Sequence, residues 1–92
     1  MTPAARLRLA ELHAALIEDL DTEWVAFTFG ALTIVLFRAM NDEPPGPSRD
    51  GLISLAKRIS AAVKSGDYGA AAPGLHEELG EYLARQAGGA CA

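Results

Sequence analysis

The sequence predicts an all-α protein, a compact four-helix bundle organised around one central apolar helix. Three observations carry this. Ala and Leu dominate outside the middle of the chain, and both favour helix. Apolar residues recur at helical spacing in three separate segments. Proline, glycine and short polar residues punctuate the places where helices would begin and end. With 92 residues there is room for one domain, expected over residues 1–87, with a flexible tail at 88–92.

The first helix is expected over residues 3 to 20. Thr2 suits the N-cap and Pro3 the first helical position. Leu9, Leu12, Leu16 and Leu20 share one face with Ala5, and Ile17 widens it. The second helix is expected over residues 22 to 40, with Asp21 as N-cap between the staple pair Leu20 and Val25. Asn41 fits a C′ position, and Pro44 and Pro45 follow. This helix is apolar almost all round. Val25, Phe29, Leu32 and Leu36 form a ridge, while Ala26, Gly30 and Thr33 form a small-residue strip open to the approach of another backbone. Residues 41 to 50 form a loop that three prolines hold out of helix. The third helix, residues 49 to 65, is capped by Ser48 or Asp50, buries Leu52, Leu55, Ala56, Ile59 and Val63, and stops at Gly66. The fourth, residues 68 to 87, starts at Asp67 and buries Tyr68, Ala72, Leu75, Leu79, Tyr82 and Leu83. Pro73 marks a potential kink.

The middle segment admits a second reading, an α+β fold with a hairpin at residues 22–39. Trp, Val, Phe, Thr and Ile favour strands, and Gly30-Ala31 fits a two-residue turn. That register pairs Thr28 with Thr33, Trp24 with Phe37 and Glu23 with Arg38. The flanking helix punctuation and the length of the segment favour the helix.

The stretch Ser65-Gly66-Asp67-Tyr68-Gly69-Ala70-Ala71-Ala72-Pro73-Gly74-Leu75 resembles the inter-helix turn of a tetratricopeptide repeat. The chain holds no second copy, and the repeat's upstream aromatic and glycine positions are missing. The resemblance implies a helix–turn–helix at this point and nothing wider.

Function is approached by exclusion. The net charge is −4, with no basic stripe interleaved with aromatics, so direct nucleic-acid binding is not expected. The serines and Cys91 lie in no nucleophile elbow, and no glycine loop of phosphate-binding type is present, so no enzyme is expected. His13 and His76, each with acids nearby, admit a metal- or ligand-binding bundle as an alternative, although His76-Glu77-Glu78 lacks the second histidine of a zinc-protease motif. The charge-free run Trp24 to Phe37 spans 14 residues. That is short of the roughly 20 a bilayer needs, which leaves a short membrane-associated protein as the weaker alternative. The absence of a signal-type apolar run in the first twenty residues, together with a lone cysteine, predicts a cytoplasmic protein without disulfides, metal or cofactor.

The leading expectation is a non-enzymatic protein–protein interaction domain. It would be a small acidic adaptor or inhibitor that binds a protein partner, or a homodimer. Its expected contact residues are the acidic group Glu18, Asp19, Asp21 and Glu23 and the aromatic group Trp24, Phe27 and Phe37. Two features point there. Three amphipathic helices are few to cover an all-round apolar one, and Trp24, Phe27, Ile34 and Phe37 point in several directions. In the first helix, Arg6 and Arg8 near the start and Glu18 and Asp19 near the end oppose the helix dipole, a placement that an external partner would explain.

Overall fold

The computed structural model describes residues 2–18 and 23–91, with side chains through Gln86. It holds four α-helices: α1 (Pro3–Glu18), α2 (Trp24–Asp42), α3 (Pro47–Ser65) and α4 (Tyr68–Cys91). No strand occurs among the described residues. Each helix packs on its chain neighbours, α4 closes the ring against α1, and α2 touches α4 across the diagonal. This is an up-and-down four-helix bundle with short connections.

The caps explain where the helices begin and end. Thr2 Oγ1 accepts the Ala5 N–H at 3.1 Å, which fixes the start of α1. Asp21, expected to cap the second helix, lies outside the described residues. Glu23 holds the cap position of α2 without a side-chain hydrogen bond. At the far end Asn41 is not the C′ residue but part of the helix, which runs to Asp42. Glu43 is extended (φ −92°, ψ 130°) and donates its N–H to the Ala39 carbonyl. Pro44 supplies the reason, because the residue before a proline is pushed out of helical geometry. Pro47, expected in the loop, instead opens α3 at its first turn, where a missing N–H is harmless. Neither Ser48 nor Asp50 caps this helix, since both lie within it and Gly46 holds the cap. Gly66 takes the left-handed conformation (φ 75°) and donates to the Ala62 carbonyl, and Asp67 Oδ1 accepts the Ala70 N–H. The expected helix–turn–helix is therefore present at 65–75.

The hairpin reading is overturned by α2, which is continuous through Gly30. Its two threonines, partners in the hairpin register, each bond a carbonyl one turn back: Thr28 Oγ1 to Trp24 at 3.2 Å and Thr33 Oγ1 to Phe29 at 2.9 Å. Their hydroxyls are thereby satisfied inside a helix.

The core joins Leu9, Leu12 and Leu16 of α1 to Val25, Phe29, Leu32, Leu36 and Ala39 of α2. Leu52, Leu55, Ile59 and Ala62 of α3 and Ala72, Leu75, Leu79 and Tyr82 of α4 complete it. Two expected core residues are exposed instead. Ile17 lies at the edge of its stripe, and Val63 gives way to Ala62 on the inner face of α3. Close approach of helices occurs where a glycine removes a side chain. A Cβ on Gly51 would stand 2.8 Å from the ring of Tyr82, and one on Gly80 would stand 2.9 Å from His13 Nε2. The small strip of α2 does not serve this purpose, for Ala26 and Gly30 face outward and nothing lies within 4 Å of a Cβ placed on Gly30.

Candidate functional site

Of the 14 residues from Trp24 to Phe37, none is charged, yet the helix they form is covered on one side only. Val25, Phe29, Leu32 and Leu36 are turned inward. Trp24 is 57% exposed, Phe27 70%, Ile34 59% and Phe37 54%. Together these four side chains present roughly 500 Å² to solvent, within the range of the largest apolar patches on ordinary monomers, which are often functional. Trp24 and Phe27 meet edge to face, with ring centres 6.1 Å apart at 84°. Mutual contact of this kind limits the freedom each ring would lose on docking.

Helical spacing orders the outer face into lines. Phe27 and Ile34 are seven residues apart and lie along its middle. Trp24, Ala31 and Arg38 form a line toward α1, where Arg38 shares a groove with Arg8, Val35 and Asp42. On the other side Phe37 lies over a shallow depression on α3, formed by Ile53, Ala56, Lys57 and Ser60. Gly30 and Ala26 leave the face low between the aromatic residues.

Charge is distributed along this face by position. The end formed by the close of α1 and the start of α2 carries Glu18 and Glu23, both exposed. The opposite end carries Arg38 beside Asp42, with Arg8 paired to Glu11 at 3.1 Å. Asp19 and Asp21, the other two members of the expected acidic group, lie outside the described residues. The structure therefore brings Trp24, Phe27 and Phe37 onto one helix face with Glu23 at its edge. It adds Ile34 and Gly30, which were not among the expected contact residues. The seven-residue spacing from Phe27 to Ile34 is the signal for Ile34, and the small-residue strip is the signal for Gly30.

The histidines form a separate feature. The rings of His13 and His76 stack across α1 and α4, with centroids 3.9 Å apart and planes 13° from parallel. Burial lowers the His13 pKa below its ordinary value, repulsion from His76 adds to this, and a hydrogen bond to the His76 backbone opposes it. Imidazole lone pairs lie in the ring plane, so two nearly parallel stacked rings do not converge on one metal position at the roughly 2 Å a ligand needs. Among the described residues no group of three His, Cys, Asp or Glu side chains is placed to hold a metal.

The hydroxyls between α3 and α4 serve packing. Ser48 Oγ is 3.0 Å from the Tyr82 hydroxyl and accepts a hydrogen bond from Gln86 Nε2 at 3.0 Å, tying the start of α3 to α4. Ser54 donates to Glu78, whose other carboxylate oxygen meets Arg58 at 3.0 Å. The chain matches no protein-family model, no curated protein and no solved structure.

Proposed function

We propose that the chain is a docking module that works without catalysis and binds a protein through the outer face of α2. The observation that carries this reading is the exposure of Trp24, Phe27, Ile34 and Phe37 along a charge-free helix whose other side already fills the core. A monomer gains nothing from leaving four such side chains in water, since each would contribute about 1.5–3 kcal/mol if fully covered. The polar clusters fit a supporting role. Neither Ser48 nor Ser54 bonds a histidine, and each spends its hydroxyl on a contact between α3 and α4.

Membrane insertion is the rival use of the same residues, because α2 has the length and hydropathy of a span. Inserting it would withdraw Val25, Phe29, Leu32, Leu36 and Ala39 from the bundle and leave the core without one wall. Docking keeps those contacts and covers only what is exposed.

A photo-crosslinking amino acid at position 27, expressed in the native host, tests the reading, with the same group at Glu77 as control. Cross-links to protein from position 27 and none from position 77 are expected. Cross-links to lipid alone, or none at either position, would remove the proposal.

A further inference from the structure

We infer that the occupant of this face is a second copy of the chain, its α2 packed antiparallel about a two-fold axis near Gly30-Ala31. The inference rests on the docking reading above and adds the partner and its register.

The first argument is shape. A two-fold axis between antiparallel helices keeps each flank on its own side, so the α1 flank of one copy lies over the α1 flank of the other. With the axis at Gly30-Ala31, Phe27 on the middle line meets the partner's Ile34, also on the middle line. Phe37, on the α3 flank, falls level with the partner's residue 24 and beside its Ala26, where the face is low. Trp24, on the α1 flank, falls over the partner's Arg38, a cation on an aromatic face. Large residues thus meet small or complementary ones in both halves. Gly30 at the crossing allows an approach near the short end of the roughly 8–10 Å range of helix packing.

The second argument is charge. One end of the face carries Glu18 and Glu23; at the other Arg38 lies beside Asp42, and Arg8 is paired with Glu11 of its own chain. Antiparallel packing about this axis sets Glu23 opposite the partner's Arg38 in both halves. Parallel packing would stack like on like. An anionic lipid surface fits less well, because Glu18 and Glu23 would face its headgroups.

The third is area. A standard interface takes about 800 Å² from each partner. The four large side chains supply more than half, and Ala26, Gly30, Ala31, Glu23 and Arg38 lie between and beside them.

Sedimentation equilibrium on the full chain tests the mass, with 9.7 kDa for one copy and twice that for the dimer. Phe27→Asp is expected to give a monomer with an unchanged circular dichroism spectrum. Glu23→Lys or Arg38→Glu alone should weaken self-association several-fold, and the two together should restore it. Orientation is read in a Cys91→Ser background by mixing Glu23→Cys with Arg38→Cys chains. Disulfide between unlike chains is expected, and linkage confined to pairs of Glu23→Cys chains would overturn the antiparallel register. A chain of 9.7 kDa at every concentration, with position 27 still cross-linking to another protein, would overturn the second copy and leave the docking reading standing. The same monomer with no protein cross-link from position 27 would overturn both.

Discussion

The two sides of α2 are drawn from the same alphabet and have opposite fates. Phe29 and Leu32 point inward and are fully buried, while Phe27 and Ile34, two residues removed from each, point outward and stay exposed. Composition therefore does not decide which apolar residues form the core of this protein; the number of neighbours available to cover them does. Three helices surround α2 on one side only, because a ring of four leaves every member an outer face. On α1, α3 and α4 the exposed residues include charges such as Arg6, Glu11, Lys57, Lys64, Glu77 and Glu81. On α2 the outer face carries none between Trp24 and Phe37.

The sharpest way to break the comparison is to truncate one residue from each side. Phe29→Ala should destabilise the fold by about 3–5 kcal/mol, because it leaves a cavity in contact with Tyr68, whose ring lies 5.0 Å away. Leu32→Ala should cost about 2–5 kcal/mol for the same reason. Phe27→Ala should change the unfolding free energy of a dilute sample by no more than about 0.5 kcal/mol, the usual range for a surface position. Urea denaturation at low protein concentration checks all three. Equal losses at positions 27 and 29 would mean that the outer face is covered within the monomer. At high concentration Phe27→Ala should lower the melting temperature relative to the parent chain, since association stabilises the folded state by mass action.

Glycine gives the next contrast. Gly51→Ala forces a Cβ against the ring of Tyr82, which is buried and tied by its hydroxyl to Ser48 and so has little freedom to move. A loss of about 1–3 kcal/mol is expected, reduced by the gain in helix propensity. Gly30→Ala meets open space, so the monomer should gain about 0.5–1 kcal/mol. If the crossing lies at Gly30, the same substitution should weaken self-association while it stabilises the fold. Opposite signs in the two measurements would be hard to produce by any packing inside one chain.

Much of this was legible in the sequence and some was not. The four helices, the inner ridge of α2 and the turn at Gly66-Asp67 follow from periodicity and cap chemistry, which are local. The end of α2 was misread because Asn41 looks like a C′ residue, whereas Pro44 acts one residue back, on Glu43, and lets the helix run to Asp42. The start of α3 was misread because a proline can either close a loop or open a helix, and Gly46-Pro47 does the second. The small strip Ala26-Gly30-Thr33 was read as a place for close packing. Periodicity identifies such a strip but does not say whether a helix of the same chain lies against it. Exposure of Trp24, Phe27, Ile34 and Phe37 follows from a shortage of covering surface, and Gly30 joins them once the direction of the inner face is fixed.

The smallest effect probes the covered side through His13. Its ring is wedged between α1 and α4 over Gly80, and its pKa in the folded chain lies below the ordinary value of 6.5. Above that value both folded and unfolded chains hold it neutral, and it contributes no pH dependence. As the pH falls through 6.5 the unfolded chain takes up the proton more readily, so folding weakens until the pH passes below the folded pKa, where the loss levels off. Unfolding curves between pH 7.5 and about 5 should show this decline, and His13→Gln should flatten it. Self-association should be indifferent to this protonation, since His13 stacks on His76 between α1 and α4 and takes no part in the outer face of α2. A dissociation constant that rose in step with the loss of folding would mean that the α1–α4 seam and the outer face of α2 are one cooperative unit; independence of the two would show that docking uses a surface the bundle does not need for its own stability.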